Sequence, residues 1–353
     1  MTSIPEFLEG EIAEGSFPGA AALRGTAEEV SELCVAGSAS VEPRHTAVTT
    51  QTLFDLASLT KPLCVGGIFA AAGRALPLDA VPGRFLPEWK KTRYDGIRLE
   101  HLLNHTSGLS PWEPIYARGE GADAYRRALG SLEPEAAPGT RVIYSDLNFL
   151  LLTQILEAAL AAPLDALFDE LVAKPAGSSA RFLPPGEAPP REEETAATEK
   201  GDRFERAMTE VRGLRYAGFR DGVVWGEVHD GNAFRRGGVA GNAGLFGTAR
   251  DVWLLARRWL EPDRVGFGAD RTPELSEARG LGWQGHRGAG SATPAMSPRS
   301  FGHTGFTGTS LWIDPDAERV AILLTNRIHP EVLEIPFNQV RQRFHDAVWE
   351  AGS

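Results

Sequence analysis

Ser58 and Lys61, three residues apart in the run Phe54-Asp55-Leu56-Ala57-Ser58-Leu59-Thr60-Lys61-Pro62-Leu63, supply a potential nucleophile and a potential base. On a helix that spacing stacks both side chains on one face. Proline is tolerated in a first turn and clashes deeper in, so Pro62 predicts a helix that starts within a residue or two of Ser58. Ser58 then sits at the positive end of a helix dipole, among backbone amides that have no partner inside the helix. Burial of Lys61 would strip water from its ammonium and lower its pKa, making a neutral amine accessible to take the serine proton. The chemistry this supports is acyl transfer.

Two later stretches keep company with that pair: Tyr144-Ser145-Asp146-Leu147-Asn148-Phe149, then Phe301-Gly302-His303-Thr304-Gly305-Phe306-Thr307-Gly308. In that order, the three resemble the S-x-x-K, Y-x-N and K-T-G or H-T-G motifs of the penicillin-recognising serine hydrolases. The resemblance is closest to the branch of class C β-lactamases, DD-peptidases and esterases, which uses tyrosine in the second motif. His101 to Leu109, Gly237 to Ala249 and Thr309 to Pro315 also look like family stretches, so the similarity runs from about Phe17 to about Asn326.

The resemblance implies an acyl-enzyme on Ser58, with Lys61 and Tyr144 sharing the proton work. Which of the two is the base in each step stays open, because coupled groups need not have separable pKa values. Tyrosine, ordinarily near pKa ~10, becomes a usable phenolate only beside a cation such as Lys61. The oxyanion hole is expected from the backbone amides of Ser58 and Phe306, the latter on an edge strand. Gly305 would let substrate approach that strand closely. His303 and Thr304 are expected on the leaving-group side.

Two positions depart from the commoner pattern. Asp146 stands where asparagine is usual, replacing an amide that donates and accepts by an acceptor. Beside Lys61 it would raise the lysine pKa, and it offers a hold for a substrate amino group. His303 replaces lysine and is only partly charged near neutrality, so its grip on a substrate carboxylate is expected to be weak and pH-sensitive.

Other candidates carry less. His101 and His105 have the i, i+4 spacing of metal ligands, but Leu102 stands where an H-E-x-x-H base belongs; structural histidines are expected. No metal site and no cofactor is assigned. There is no G-x-S-x-G elbow, and the glycines at 302, 305 and 308 lack the strand-to-helix setting of a dinucleotide fingerprint. Trp225 and Trp312 read as packing residues, and Cys34 and Cys64 as ordinary buried thiols. Glu227 to Asn232 precedes the glycine-rich segment, which puts His229 or Asn232 either at the pocket rim or in a loop anchor.

Elements to position these residues come from both chain ends. Ser3 to Glu14 has helical apolar spacing, Ala20 to Arg24 and Val30 to Ala36 read as strands around a turn at Gly25 and Thr26, and Thr309 to Ile313 with Arg319 to Thr325 form a second pair across Asp314 to Ala317. A last helix is expected from about Glu331 to Ala351. The fold class is therefore α+β, an antiparallel sheet flanked by helices, which the resemblance makes β-lactamase or penicillin-binding transpeptidase-like. Residues 1–80 and 241–353 are expected to form a discontinuous sheet domain, and 81–240 a mainly helical insertion. In the latter, Leu147 to Leu160 and Leu164 to Val172 read as helices and Leu183 to Asp202 as an exposed loop. Thr248 to Asp251 resembles a capping box opening a helix through Leu260.

The 353 residues, 42% of them hydrophobic, can bury a large core. A net charge of -11 argues against a nucleic-acid partner. No stretch approaches the ~18 apolar residues of a membrane span, and Glu6, Glu9, Glu11 and Glu14 stand where a secretion signal needs a basic start and an apolar run. The chain reads as cytoplasmic, or as periplasmic or secreted if a leader has already been removed. The partner implied is a small-molecule substrate; carboxylic esters or small amides rank first, D-alanyl peptides second and β-lactams third. The rival reading is a catalytically silent relative that binds a peptidoglycan-like or acyl ligand. Oligomeric state is not encoded in any of these features.

Overall fold

The computed structural model describes residues 2–90, 92–119, 121–186 and 194–350. Its strands are β1 (Gly19–Gly25), β2 (Val30–Ser40), β3 (Thr46–Ala47), β4 (Phe54–Asp55), β5 (Arg181–Phe182), β6 (Leu245–Gly247), β7 (Gln284–Gly285), β8 (Phe301–Thr304), β9 (Ser310–Asp314) and β10 (Arg319–Thr325). Seven of them make one antiparallel sheet in the order β3-β2-β1-β10-β9-β8-β7. The other three form a small sheet, β4-β6-β5, under the Ser58 segment. This is the α+β class read from the sequence, with the large sheet drawn from both chain ends.

Successive residues of a strand point to opposite faces. Ala20, Ala22, Trp312, Ala321 and Leu323 accordingly enter one core, and Ala21, Leu23, Leu311, Ile313, Val320, Ile322 and Leu324 the other. Both faces are covered, so β10 reads as a nearly continuous apolar run. The first core lies under two helices. Ile4–Ala13 opens on a Ser3–Glu6 capping box, and Phe337–Glu350 crosses it with Phe7 against Phe344 at 5.7 Å and Glu11 paired to Arg343 at 2.6 Å. The last helix starts six residues later than the expected Glu331 because Pro336 lacks an N–H and its ring would clash inside a helix; Ala351 lies outside the described residues.

The second, larger core holds the buried helix Asp146–Leu160 and the helical run that starts at Leu164. Thr248 and Asp251 cap the Ala249–Ala256 helix reciprocally, as the sequence indicates. The exposed loop expected over Leu183 to Asp202 is corrected where it is described. Leu183 and Thr195 to Glu199 are buried; the strand-like Thr195 segment bonds to Leu53 through Glu194 O (2.8 Å) and Ala196 N (2.9 Å), which satisfies its backbone inside the protein. Residues 187–193 of that expectation lie outside the described residues. Cys64 is a buried free thiol, but Cys34 is only partly buried on β2. Among the described residues no single helix is long and apolar enough to cross a membrane.

Candidate active site

The Ser58 segment is helical but does not begin as a regular α-helix. Ala57–Leu59 form one 3₁₀ turn, Lys61–Gly66 wind as a π-helix, and Gly67–Ala72 continue as α-helix. Ala57 takes φ +46°, a left-handed conformation that costs a non-glycine residue of order 1–3 kcal/mol and needs support from its surroundings. That support is dense. Asp55 accepts from Ala57 N (2.8 Å) and from His229 N (2.8 Å), while Thr307 and Thr309 hydroxyls donate to the carbonyls of Asp55 (2.7 Å) and Leu56 (3.1 Å). The β8–β9 loop is thus fastened to the turn that presents Ser58.

Lys61 is fully buried; its ammonium donates to Ser58 Oγ at 2.8 Å and Asn242 O at 2.9 Å and is ion-paired with Asp146 Oδ1 at 2.6 Å. The Tyr144 hydroxyl also lies within hydrogen-bonding reach of Lys61 and Ser58. Burial pulls the Lys61 pKa down, as the sequence argument holds, but the Asp146 carboxylate and then Tyr144 more than reverse it, leaving it above the ordinary lysine value. Tyr144 moves up too, because burial outweighs the pull of Lys61. The resting pair is therefore ammonium and phenol. Since Ser58 Oγ accepts from Lys61, the serine keeps its own hydrogen for Tyr144 Oη.

His303 departs from its expected place. It is 3% exposed, does not line the cleft around Ser58, and packs on the Tyr144 ring at 5.9 Å. Its Nδ1–H donates to the Thr304 carbonyl at 2.9 Å. Burial, then Lys61 and Arg279, hold its pKa well below the usual histidine range, so it is neutral and cannot grip a carboxylate by charge. His105 lies on the other side of Tyr144, ring centroids 4.5 Å apart, and accepts from Ser145 N at 3.0 Å; it is the structural histidine expected, and it aims the tyrosine. Among the described residues no group of side chains is arranged to hold a metal.

The glycine at 305 also has a packing reason. A Cβ there would lie 2.1 Å from Thr309 Oγ1 and 2.8 Å from the Leu56 carbonyl oxygen, so glycine lets the chain after β8 close on the Ser58 turn. The Phe306 N–H that follows has no protein acceptor among the described residues.

These groups open into a cleft of about 450 Å³. Ser58, Tyr144, Thr304, Gly305 and Phe306 line it, with Asp146 at one side. The cleft also holds residues that the sequence reading did not single out. Arg327 and Arg341 line the β8 side; Arg341 donates to Gly305 O (2.6 Å) and Asn338 Oδ1 (2.8 Å), Arg327 to Phe306 O (2.9 Å), and neither pairs with a carboxylate among the described residues. Burial and the neighbouring Arg327 hold Arg341 down at about 9. A readable signal existed: Arg341 falls on the apolar stripe Phe337, Val340, Phe344, Val348 of its helix, where a charge is out of place. The cleft lining also carries Glu205, Asp230 and His229, the last stacked on the Phe306 ring at 5.6 Å. His229 is ion-paired with Glu199 at 2.9 Å, which more than offsets burial and raises its pKa, so it is both rim and anchor; Asn232 is an anchor only, bridging Ile115 N (2.9 Å) and Glu113 O (2.9 Å).

A family model described as Beta-lactamase matches residues 4–341. The chain belongs to the beta-lactamase family. Among curated relatives, the "Putative D-alanyl-D-alanine carboxypeptidase" of Escherichia coli (strain K12) is 30% identical over 318 residues, covering 81% of this chain and 71% of that one. The protein of the same description from Salmonella agona (strain SL483) is 30% identical over 319 residues, covering 80% and 71%. Solved structures of the same fold include EstCE1, a hydrolase with promiscuous acyltransferase activity (TM-score 0.72, 20% identity, 98% of this chain and 97% of that one). A class C beta-lactamase also matches (TM-score 0.70, 14% identity, 97% and 94%). The beta-lactamase-like chain is accordingly a hydrolase, and its fold is that of the class C enzymes and esterases.

Proposed function

We propose that this chain is a serine acyl hydrolase that works through an acyl-enzyme on Ser58, on amides or esters whose departing portion ends in a carboxylate. The observation that carries the reading is the Lys61 ammonium donating to Ser58 Oγ at 2.8 Å, with Tyr144 in reach of the same oxygen, at the floor of an open cleft. The nucleophile attacks when the Lys61–Tyr144 pair has lost one proton to solvent. Ser58 Oγ then bonds to the carbonyl carbon while its proton passes to the pair, and the carbonyl oxygen takes up the electron pair between the Ser58 and Phe306 amides. Collapse breaks the bond to the leaving amine or alkoxide, which takes that proton, and water repeats the sequence to free Ser58.

Substrate choice follows from charge. With His303 buried and neutral, the cations facing the departing portion are Arg327 and Arg341, and a partly buried and a buried guanidinium without a carboxylate favour an anionic ligand. D-alanyl peptides therefore move ahead of neutral esters, in keeping with the description of the curated relatives. The test is a fluorophosphonate probe combined with turnover of D-alanyl-D-alanine peptides, p-nitrophenyl esters and a chromogenic cephalosporin. Single labelling on Ser58, lost together with turnover in Ser58→Ala, is expected. Labelling that persists in Ser58→Ala, or maps to Ser107 or Ser145, would sink the assignment.

A further inference from the structure

Part of the cleft lining, Asp146, Glu205 and Asp230, holds more carboxyl groups than the protein's lysines and arginines answer. Lys61 serves Asp146. Asp230 has its Oδ1 on Ala233 N (2.7 Å), and Glu205 accepts from Gly231 N (2.7 Å) and the Tyr116 hydroxyl (2.9 Å); among the described residues, no lysine or arginine pairs with either. Burial, then the neighbouring carboxylates, push both Asp230 and Glu205 above the usual range: Asp146 acts on Asp230, and Asp230 on Glu205. A second observation lies in the same corner. Asn242 is 1% exposed and lines the cleft; its amide faces the Asp230 carboxyl, yet neither its nitrogen nor its oxygen meets a partner in hydrogen-bonding geometry. Buried amides are ordinarily satisfied, so this one is held ready for something that enters the cleft.

The entering group must be a donor, cationic and small. Among the described residues no cluster has a metal-binding arrangement. An alkylammonium fits instead, because its three N–H donors match three acceptor groups: the carboxylates of Asp146 and Asp230 and the amide oxygen of Asn242. Asp146 stands where the commoner family pattern has a neutral asparagine, and that is the substitution a positively charged neighbour would require.

We propose that the Asp146–Asp230–Asn242 corner is a subsite for a free ammonium group on the acyl portion of the substrate, so that the preferred substrates are unblocked aminoacyl peptides, amides or esters. This inference rests on the acyl-enzyme reading above. Because Arg327 and Arg341 line the same cleft, a short zwitterion would meet both signs of charge there: amine on the acyl residue, carboxylate on the departing one. The α-amino group of such a peptide has a pKa of about 8 and is mostly charged at neutral pH.

The experiment compares kcat/KM for D-alanyl-D-alanine with its N-acetyl derivative, and for alanine p-nitroanilide with N-acetylalanine p-nitroanilide, all at pH 7. The anilides lack a carboxylate, so they report on the amine subsite without the arginines. We expect the free amine to be preferred at least tenfold in both pairs. Asp230→Asn keeps an oxygen to cap Ala233 N, so the 231–235 helix survives; within that variant the ratio should fall to about twofold or less. Asp146→Asn should lower the ratio likewise. Equal or better hydrolysis of the acetylated substrates by the wild type, or an unchanged ratio in Asp230→Asn, overturns this inference and leaves the acyl-enzyme reading intact. Failure to hydrolyse any of the four substrates while Ser58 is still labelled overturns this inference alone; failure to label Ser58 as well overturns both.

Discussion

Replacing Asp146 by asparagine should move the pH profile of the reaction toward acid. The Asp146 carboxylate lies 2.6 Å from Lys61 Nζ and is the largest influence raising the lysine pKa against burial. Two unit charges at that separation attract by about 6 kcal/mol at an effective dielectric of about 20, which is an upper bound, and one pKa unit is worth about 1.4 kcal/mol. Close pairs of this kind shift a pKa by about one to three units in practice. Asparagine retains an oxygen for Lys61, so the geometry persists while the charge goes. The base form of the Lys61–Tyr144 pair is then populated at lower pH, and the acid limb of kcat/KM, which reports the free enzyme, should descend by about one to three units. On that limb, the rate at a fixed pH should rise about tenfold per unit. The fluorophosphonate inactivation rate, measured against pH, tests the same limb without a leaving-group proton. An acid limb that stays put, or a loss of activity at every pH with no displacement, would refute the reasoning: Asp146 would then be a base in its own right or a bystander.

Lys61→Met and Tyr144→Phe should each cost about 10² to 10⁴ in kcat, and the double variant little more than the worse single, because the two act as one unit; additive losses in the double variant would separate them. Arg341→Ala should raise KM for D-alanyl peptides about tenfold or more and leave neutral p-nitrophenyl esters within about twofold, a contrast read from KM against kcat on the two substrates. Acid should destabilise the fold through buried neutral histidines. His345, held down at about 3 by burial and Arg341 beside it and bonded to Ser310 Oγ at 2.7 Å, stays unprotonated when folded, but the unfolded chain protonates near pH ~6.5. Its share of stability is full above that value and is lost by about 1.4 kcal/mol per unit as pH falls toward 3, with His303 and His105 acting in the same sense. Urea midpoints between pH 7 and 5 measure it, and a flat profile would contradict it.

The sheet was legible because its strands carry strong local signals: β10 coincides with the apolar run Arg319 to Thr325, and the turn after Asp314 is spelled by its own residues. Spacing also placed Ser58 beside Lys61, since i and i+3 meet on any helical turn. Long-range charge was not legible. Whether Lys61 is an amine or an ammonium depends on Asp146, 85 positions away, outweighing burial, and no local pattern sets that balance. His303 misled for a related reason: its alternation on β8 turns it into the protein beneath Tyr144, and the carboxylate-seeking charge comes from Arg327 and Arg341, on a loop and a helix past the motif. The Thr195 to Glu199 stretch reads as loop with the Pro- and Glu-rich run around it, yet its backbone bonds to Leu53 in the interior.

The large sheet closes across nearly the whole chain: Gly19 N meets Asn326 Oδ1 at 3.0 Å, 307 residues away, and β1 has β10 as its neighbour. Such distant pairings make for slow folding, since a long loop must close before any contact rewards it. They also set the order in which a growing chain acquires its parts. Ser58, Lys61 and Tyr144 leave the ribosome early, but β8 with the loop from Gly305 to Gly308, and the arginines behind it, emerge late. On the acyl-enzyme reading proposed above, a nascent chain therefore holds Ser58 without the wall that would stabilise a tetrahedral intermediate. On that reading, hydrolysis would have to wait until the final strands have been made.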